Sequence, residues 1–287
     1  FLQDLLGIST ERFLPAGDGM TVSLGDTTLE FIHTPWVHWP ETMVTYHRDD
    51  RILFSGDFFG SHLASANIFA SQNPKVSESA KRYYAEIMMP FRMAIRQNMA
   101  KVDGLDLAMI APSHGPVYDA PALILDSYRD WISDRVSNEV VLPYVSMHGS
   151  TARMAEYFID ALAARGVTVR PFNLTVADIG ELAMALVSAA TIVVGSPTVL
   201  AGPHPSAATA SFLVNALRPK TRYLSIIGSY GWGGRMVDQL TQMVKNLKVT
   251  VLPPVLAKGY PGAETFRDLD RLAEDIANRH KTDDLSG

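Results

Sequence analysis

The sequence predicts an α/β chain in two parts: a β-rich first part, then an open parallel sheet covered by helices on both faces. Three observations predict it. Short β-rich runs separated by turn residues fill the first 136 positions, and near-continuous apolar runs alternate with helical stretches from residue 137 onward. Of the 287 residues, 47% are hydrophobic and 19% charged, a balance that can bury two sizeable cores. We therefore divide the chain into residues 1–136 and 137–287.

In the first part, residues 20–24, 28–32, 43–46 and 51–54 read as antiparallel strands, broken at Gly25-Asp26 and Asp49-Asp50. A long helix is expected from about Ser77 to Met99, then an apolar strand over 106–111 and a helix over 122–136. In the second part, residues 140–145, 167–172, 191–195, 223–228 and 249–252 read as five strands. Helices beginning near Thr151, Asp178, Ser206, Gly234 and Ala263 follow them in turn. Strands joined by helices in this way lie parallel.

Composition removes several functions. Twenty-five basic residues against thirty acidic leave a net charge of −5, with no basic run to track a phosphate backbone, so nucleic acid is not an expected partner. The absence of cysteine excludes disulfides, thiolate zinc sites and cysteine-ligated iron–sulfur clusters within these residues, and fits a reducing cytoplasm. No apolar stretch approaches the ~18–20 residues of a membrane span, and no signal peptide opens the chain. The first residue is Phe1 rather than Met, which we read as a truncated start.

Ligands of open α/β sheets bind beyond the carboxyl ends of the strands. Three loops stand there in the second part. Ser146, Met147, His148, Gly149, Ser150 and Thr151 place hydroxyls and a glycine at a helix start, which suits a phosphate dianion. Taken alone, the same loop reads equally as a turn with Ser150 or Thr151 as N-cap. After strand three come Ser196, Pro197, Thr198 and Val199, closing at Gly202. After strand four come Ser229, Tyr230, Gly231, Trp232 and Gly233, whose aromatics offer planar faces. A phosphate loop with two loops that enclose a flat ring describes a site for flavin mononucleotide, FMN. From about Val140 to Asn278 the sequence resembles flavodoxin, which implies strand order 2-1-3-4-5.

In the first part, His38, Asp57 and His114 each end a strand-like run. Their spacings, 57 − 38 = 19 and 114 − 57 = 57, suit a site assembled from several strand ends. Imidazole and carboxylate without thiolate suit zinc, iron or manganese. Taken singly, a hydrogen-bonded structural role accounts better for either histidine. His33, His47, His62 and His280 have no comparable setting and read as surface or packing residues.

His-Trp-Pro-Glu-Thr-Met, Leu-Phe-Ser-Gly-Asp-Phe-Phe-Gly-Ser-His and Pro-Ser-His-Gly-Pro, followed by Ser-Met-His-Gly-Ser-Thr, resemble the A-type flavodiiron proteins, a family of oxygen and nitric oxide reductases. The resemblance implies a metallo-β-lactamase-like αββα domain, here partial, followed by a five-stranded flavodoxin-like domain. It implies that His38 ligates one iron, Asp57 bridges two, and His114 ligates the other. Residues 146–151 would hold the FMN phosphate, with 196–202 and 229–233 flanking the isoalloxazine. The family's His-x-Glu-x-Asp-His motif, which carries its remaining ligands, does not occur in these residues. The implied activity is reduction of O2 to water or NO to nitrous oxide, and few further catalytic side chains are expected. A separate donor would supply the electrons: a rubredoxin-like protein, a reduced deazaflavin or an NADH-dependent reductase. The short connector near residue 137 and the family pattern both imply a head-to-tail homodimer, with loops around Trp36, Trp39 and Trp232 at its interface. Two rivals remain at this point: a lactamase-like hydrolase fused to a flavodoxin unit, and a metal-free electron carrier.

Overall fold

A computed structural model describes residues 2–285. Packing gathers the chain up to Ala80 with Phe91–Tyr128 as one unit, and Lys81–Pro90 with everything from Arg129 onward as another. This differs from a division at 136/137. Its cause is local: Arg82 donates both guanidinium nitrogens to the Asp178 carboxylate, at 2.9 and 2.8 Å, and the Tyr84 ring lies 5.1 Å from Trp131. These contacts hold 81–90 and the end of the following helix to the second unit.

The first unit opens with α1 (Leu2–Leu6) and carries one sheet: β1 (Thr21–Ser23), β2 (Thr28–His33), β3 (Met43–His47), β4 (Ile52–Gly56) and β5 (Met109–Pro112), in that spatial order. β1 to β4 pair antiparallel, and β4 pairs parallel with β5. β2 and β4 both run against β3, so β2, β4 and β5 point the same way. The loops that follow these three strands therefore gather at one edge. Beneath them, Phe58 and Phe59 stack at 3.9 Å and set their rings edge-on to Tyr128, all three fully buried.

The helix expected over 77–99 is not continuous. α2 (Val76–Tyr83) tightens and shifts through a single wide turn at Tyr84–Met88 and a tight one at Met89–Phe91 before α3 (Arg92–Val102) resumes. Pro90 lacks the amide hydrogen that an unbroken helix needs there. α4 (Ala122–Ile132) ends four residues short of the expected 136, and the next strand begins at Ser137.

The second unit is the expected parallel sheet. β6 (Ser137–Tyr144), β7 (Thr168–Asn173), β8 (Ala189–Val199), β10 (Tyr223–Tyr230) and β12 (Val255–Lys258) lie in the order 2-1-3-4-5, with β9 (Gly202–Pro203) folded back antiparallel on β8. The fifth strand is two pieces rather than the single run expected at 249–252. β11 (Thr250–Val251) pairs with the start of β10 and β12 with its end, because Pro253-Pro254 between them offers no ladder amides. α5 (Ser150–Ala163), α6 (Ile179–Leu186), α7 (Pro205–Leu217), α8 (Met236–Met243) and α9 (Ala263–Thr282) follow the strands as read. α5 and α9 bury Met154, Phe158, Leu162, Leu269, Leu272 and Ile276 against Val140, Leu142 and Ile227. At the remote edge, His280 of α9 is buried against Thr191 and Asn138. No described helix is long and apolar enough to cross a membrane.

Candidate functional site

The common edge of β2, β4 and β5 brings His38, Asp57 and His114 together. His38 Nε2 lies 3.5 Å from one Asp57 oxygen, Oδ2, and His114 Nε2 lies 3.3 Å from the other, Oδ1. Two backbone bonds hold the second and third loops in register: Ser113 N–H donates to Gly56 O at 2.7 Å, and Ser61 N–H donates to His114 O at 2.9 Å. The loop bearing His38 is closed by Trp36 N–H to Trp39 O and tied to α3 by Asn98 Nδ2, which donates to Pro35 O at 3.0 Å. Trp36 and Phe59, flanking the two loops, hold left-handed φ values of 64° and 66°. Such angles are costly for side chains with a Cβ, and they cluster where a loop must aim a functional group. The His62 ring stands edge-on to His114 at 5.4 Å, a neighbour that sequence reading left among surface or packing residues. Four residues past His114, burial pushes the Tyr118 phenol up to about 12, with the Ser61 hydroxyl opposing.

A carboxylate with an imidazole facing each oxygen is a cluster of groups whose types could serve as metal donors. Among the described residues no group of three or more His, Cys, Asp or Glu side chains is placed to hold a metal ion. His38, Asp57 and His114 are of the donor types that iron or zinc takes, and metal held there would need further donors.

In the second unit, the loops after β6, β8 and β10 line one cleft of about 390 Å³. Ser146, Met147, His148, Ser150 and Thr151 form one wall, Pro197, Thr198 and Val199 a second, and Ser229, Tyr230, Gly231, Trp232 and Gly233 a third. Gly149, Ser196 and Gly202 are not on the wall. Gly149 stands at the N-cap of α5 with φ 86°, a turn that favours glycine. Ser196 is fully buried behind the cleft: its hydroxyl donates to Pro197 O and accepts from His204 N–H, shaping the loop. Gly202 pairs with Val199. Leu200 and Ala201, at the tip between them, line the cleft, and so does Gly259 after β12. Gly259 follows the second piece of the fifth strand, beyond the Pro253-Pro254 break and past the run expected at 249–252. The Lys-Gly-Tyr-Pro-Gly turn at 258–262 was the available signal.

Neither Ser150 nor Thr151 caps α5; the helix has no side-chain cap. Its first-turn amides are left for a ligand, and the Thr151 hydroxyl instead meets Ser229 Oγ at 3.3 Å, joining the first and third loops. Ser146 Oγ is buried and has no hydrogen-bonding partner among the described residues. A buried hydroxyl without a partner costs free energy, and a phosphate oxygen at the helix start would satisfy it. Trp232, 94% exposed, offers a bare indole beside this cleft. The cleft fits a nucleotide whose phosphate meets α5 and whose ring lies between the second and third loops.

Comparison with known proteins agrees with both halves. Residues 2–115 match the ODP family beta lactamase model and residues 142–269 match flavodoxin. A nitric oxide reductase of Moorella thermoacetica is 32% identical over 91% of this chain and 67% of its own length. The rubredoxin oxygen:oxidoreductase of Desulfovibrio gigas superposes with a TM-score of 0.93 at 26% identity, over 98% of this chain and 72% of that one. The flavodiiron protein of Giardia intestinalis gives 0.88 at 26% identity, over 98% and 71%. The chain spans 60–67% of the length of these curated relatives.

Proposed function

The chain belongs to the flavodiiron proteins, and from that premise we propose that it passes electrons from an external donor through FMN to a diiron site that reduces O2 to water or NO to nitrous oxide. The observation that carries the reading is Asp57, with His38 facing one oxygen and His114 the other. In this reading His38 and His114 each hold one iron and Asp57 joins them, with the remaining donors additional to these three. Ser146 and the first-turn amides of α5 hold the FMN phosphate, and the loops at 196–202 and 229–233 flank its ring. When bound, the flavin supplies one- and two-electron transfer and the irons supply the point of delivery to the gas. The protein's own part is to fix donor positions and keep the ring between the loops.

The donor is a separate protein or cofactor, such as a rubredoxin-like protein, a reduced deazaflavin or an NADH-dependent reductase. The functional division at 136/137 and a cytoplasmic location belong to the same proposal. So does a head-to-tail homodimer, supported by Trp36, Trp39 and Trp232, which are all exposed rather than core residues. The incomplete ligand set favours a second reading, a metal-free flavin electron carrier.

Cofactor analysis and gas consumption test the proposal. Purified protein should carry about one FMN per chain, with the cofactor's absorbance near ~450 nm, and should consume O2 or NO when chemically reduced. Asp57→Asn should lose iron and gas consumption yet keep FMN. Ser150→Asp should weaken FMN by setting a carboxylate against the phosphate. Protein that takes up no FMN overturns the whole assignment. FMN without iron, with no gas consumed, selects the carrier.

A further inference from the structure

The cleft read for FMN is almost bare of charge. Its walls carry no Lys, Arg, Asp or Glu, and the only titratable side chains on them are His148 and Tyr230. A tyrosine ionises only to an anion, so His148 is the one side chain on the walls that can become positive. It stands in the first wall, two residues from the unpartnered Ser146 hydroxyl and just before Gly149, the N-cap of α5. His148 is exposed, and among the described residues it has no charged partner. The neighbouring charges are engaged elsewhere or lie off the walls. Arg153, at the end of the first turn of α5, reaches Glu156 at 3.7 Å and lies 5.6 Å over the Phe266 ring of α9. Lys258 and Tyr260, either side of Gly259, and Glu264 in the first turn of α9 are exposed and do not line the cleft.

We infer that His148 is the counter-ion of the FMN phosphate, so that loading the flavin draws a proton onto the imidazole and flavin occupancy responds to pH. This rests on the flavin reading above. A phosphate monoester carries about −1.5 to −2 charge at pH 7. The first-turn amides of α5 and the Ser146 hydroxyl seat its oxygens but offset only part of that charge. An opposite charge close by favours the protonated imidazole, and histidine is the side chain whose charge changes near neutral pH. The contribution of the imidazolium is complete below about pH 6.5, where histidine is protonated even without the flavin. It is lost as pH rises through the higher value that the complex imposes. Below about pH 6 the phosphate takes up a proton of its own, so the coupling stands alone above that range.

Calorimetric titration of the flavin-free protein with FMN, in two buffers of different ionisation enthalpy, counts the protons taken up. At about pH 7.5 the uptake should be about half a proton per FMN, and affinity should fall about three- to tenfold between about pH 6.5 and 8.5. Riboflavin, which lacks the phosphate, should show neither effect. His148→Asn should bind FMN more weakly at the lower pH and without proton uptake. His148→Lys, a fixed cation, should hold FMN tightly at both pH values, again without uptake. Uptake that persists in His148→Asn, or that riboflavin shares, would overturn the inference by placing the proton elsewhere. So would His148→Lys binding FMN no better than His148→Asn at the higher pH. FMN binding by the unaltered protein with no proton uptake refutes the inference and leaves the flavin reading standing. If the unaltered protein binds neither flavin, the flavin reading itself falls and this inference with it.

Discussion

His280 has its ring nitrogens 2.7 Å from Thr191 Oγ1 and 2.8 Å from Asn138 Oδ1. Asn138 Nδ2 donates to Gly166 O, which turns Oδ1 toward the ring, so Nδ1 bears the hydrogen and Nε2 accepts from Thr191. Burial pushes the pKa of His280 down to about 4, with Asp283 opposing and Arg222 reinforcing the shift. Between about pH 6.5 and 4 the unfolded chain therefore binds a proton that the folded chain refuses. The stability contributed by the neutral ring is complete above pH 6.5 and is lost as pH falls through that window. Urea midpoints at pH 7 and pH 5 should diverge, and His280→Gln should narrow the gap; an equal gap in the variant would refute the role. At this scale the sequence was legible only where chemistry was marked by neighbours. His38, Asp57 and His114 were recognisable because each closes a distinctive run at a strand end. His280 was not, since a histidine on a charged helix carries no sign of the sheet it will pack against.

Gly228 shows what a single element demands. It pairs with Ser196 where β8 and β10 approach the cleft, and a Cβ there would collide with the Ser196 carbonyl oxygen. That oxygen belongs to the backbone and cannot swing aside as a flexible side chain would. Gly228→Ala should cost about 1–3 kcal/mol through overpacking and loosen flavin by displacing both adjacent loops. A melting curve and a flavin titration check it, and an unchanged melting temperature would contradict the close approach. Element type was readable throughout the second unit because buried parallel strands are near-continuous apolar runs. Two of the differences fall at prolines. Pro90 interrupts a helix whose apolar period continues across it, and Pro253-Pro254 moves the working half of the fifth strand to 255–258. The 136/137 division differs from the packing because Arg82 and Tyr84 make their contacts with residues far along the chain, beyond what local periodicity records.

For the molecule as a whole, the proposed dimer is the claim most open to direct measurement. Sedimentation at micromolar concentration should give twice the 31.4 kDa of one chain, and Trp39→Asp or Trp232→Asp should shift it toward the monomer. A monomer with full gas-reducing turnover would refute electron delivery between chains. The shared direction of β2, β4 and β5 has a consequence in time. His38 and Asp57 come close once a meander of neighbouring antiparallel strands has formed, a local event on the folding path. His114 joins them only when β5 docks parallel to β4, after more than fifty intervening residues have found their place. The second face of the carboxylate therefore depends on a pairing of much longer range than the first. A metal ion that needs both imidazoles can settle only on a chain in which β5 has already docked on β4.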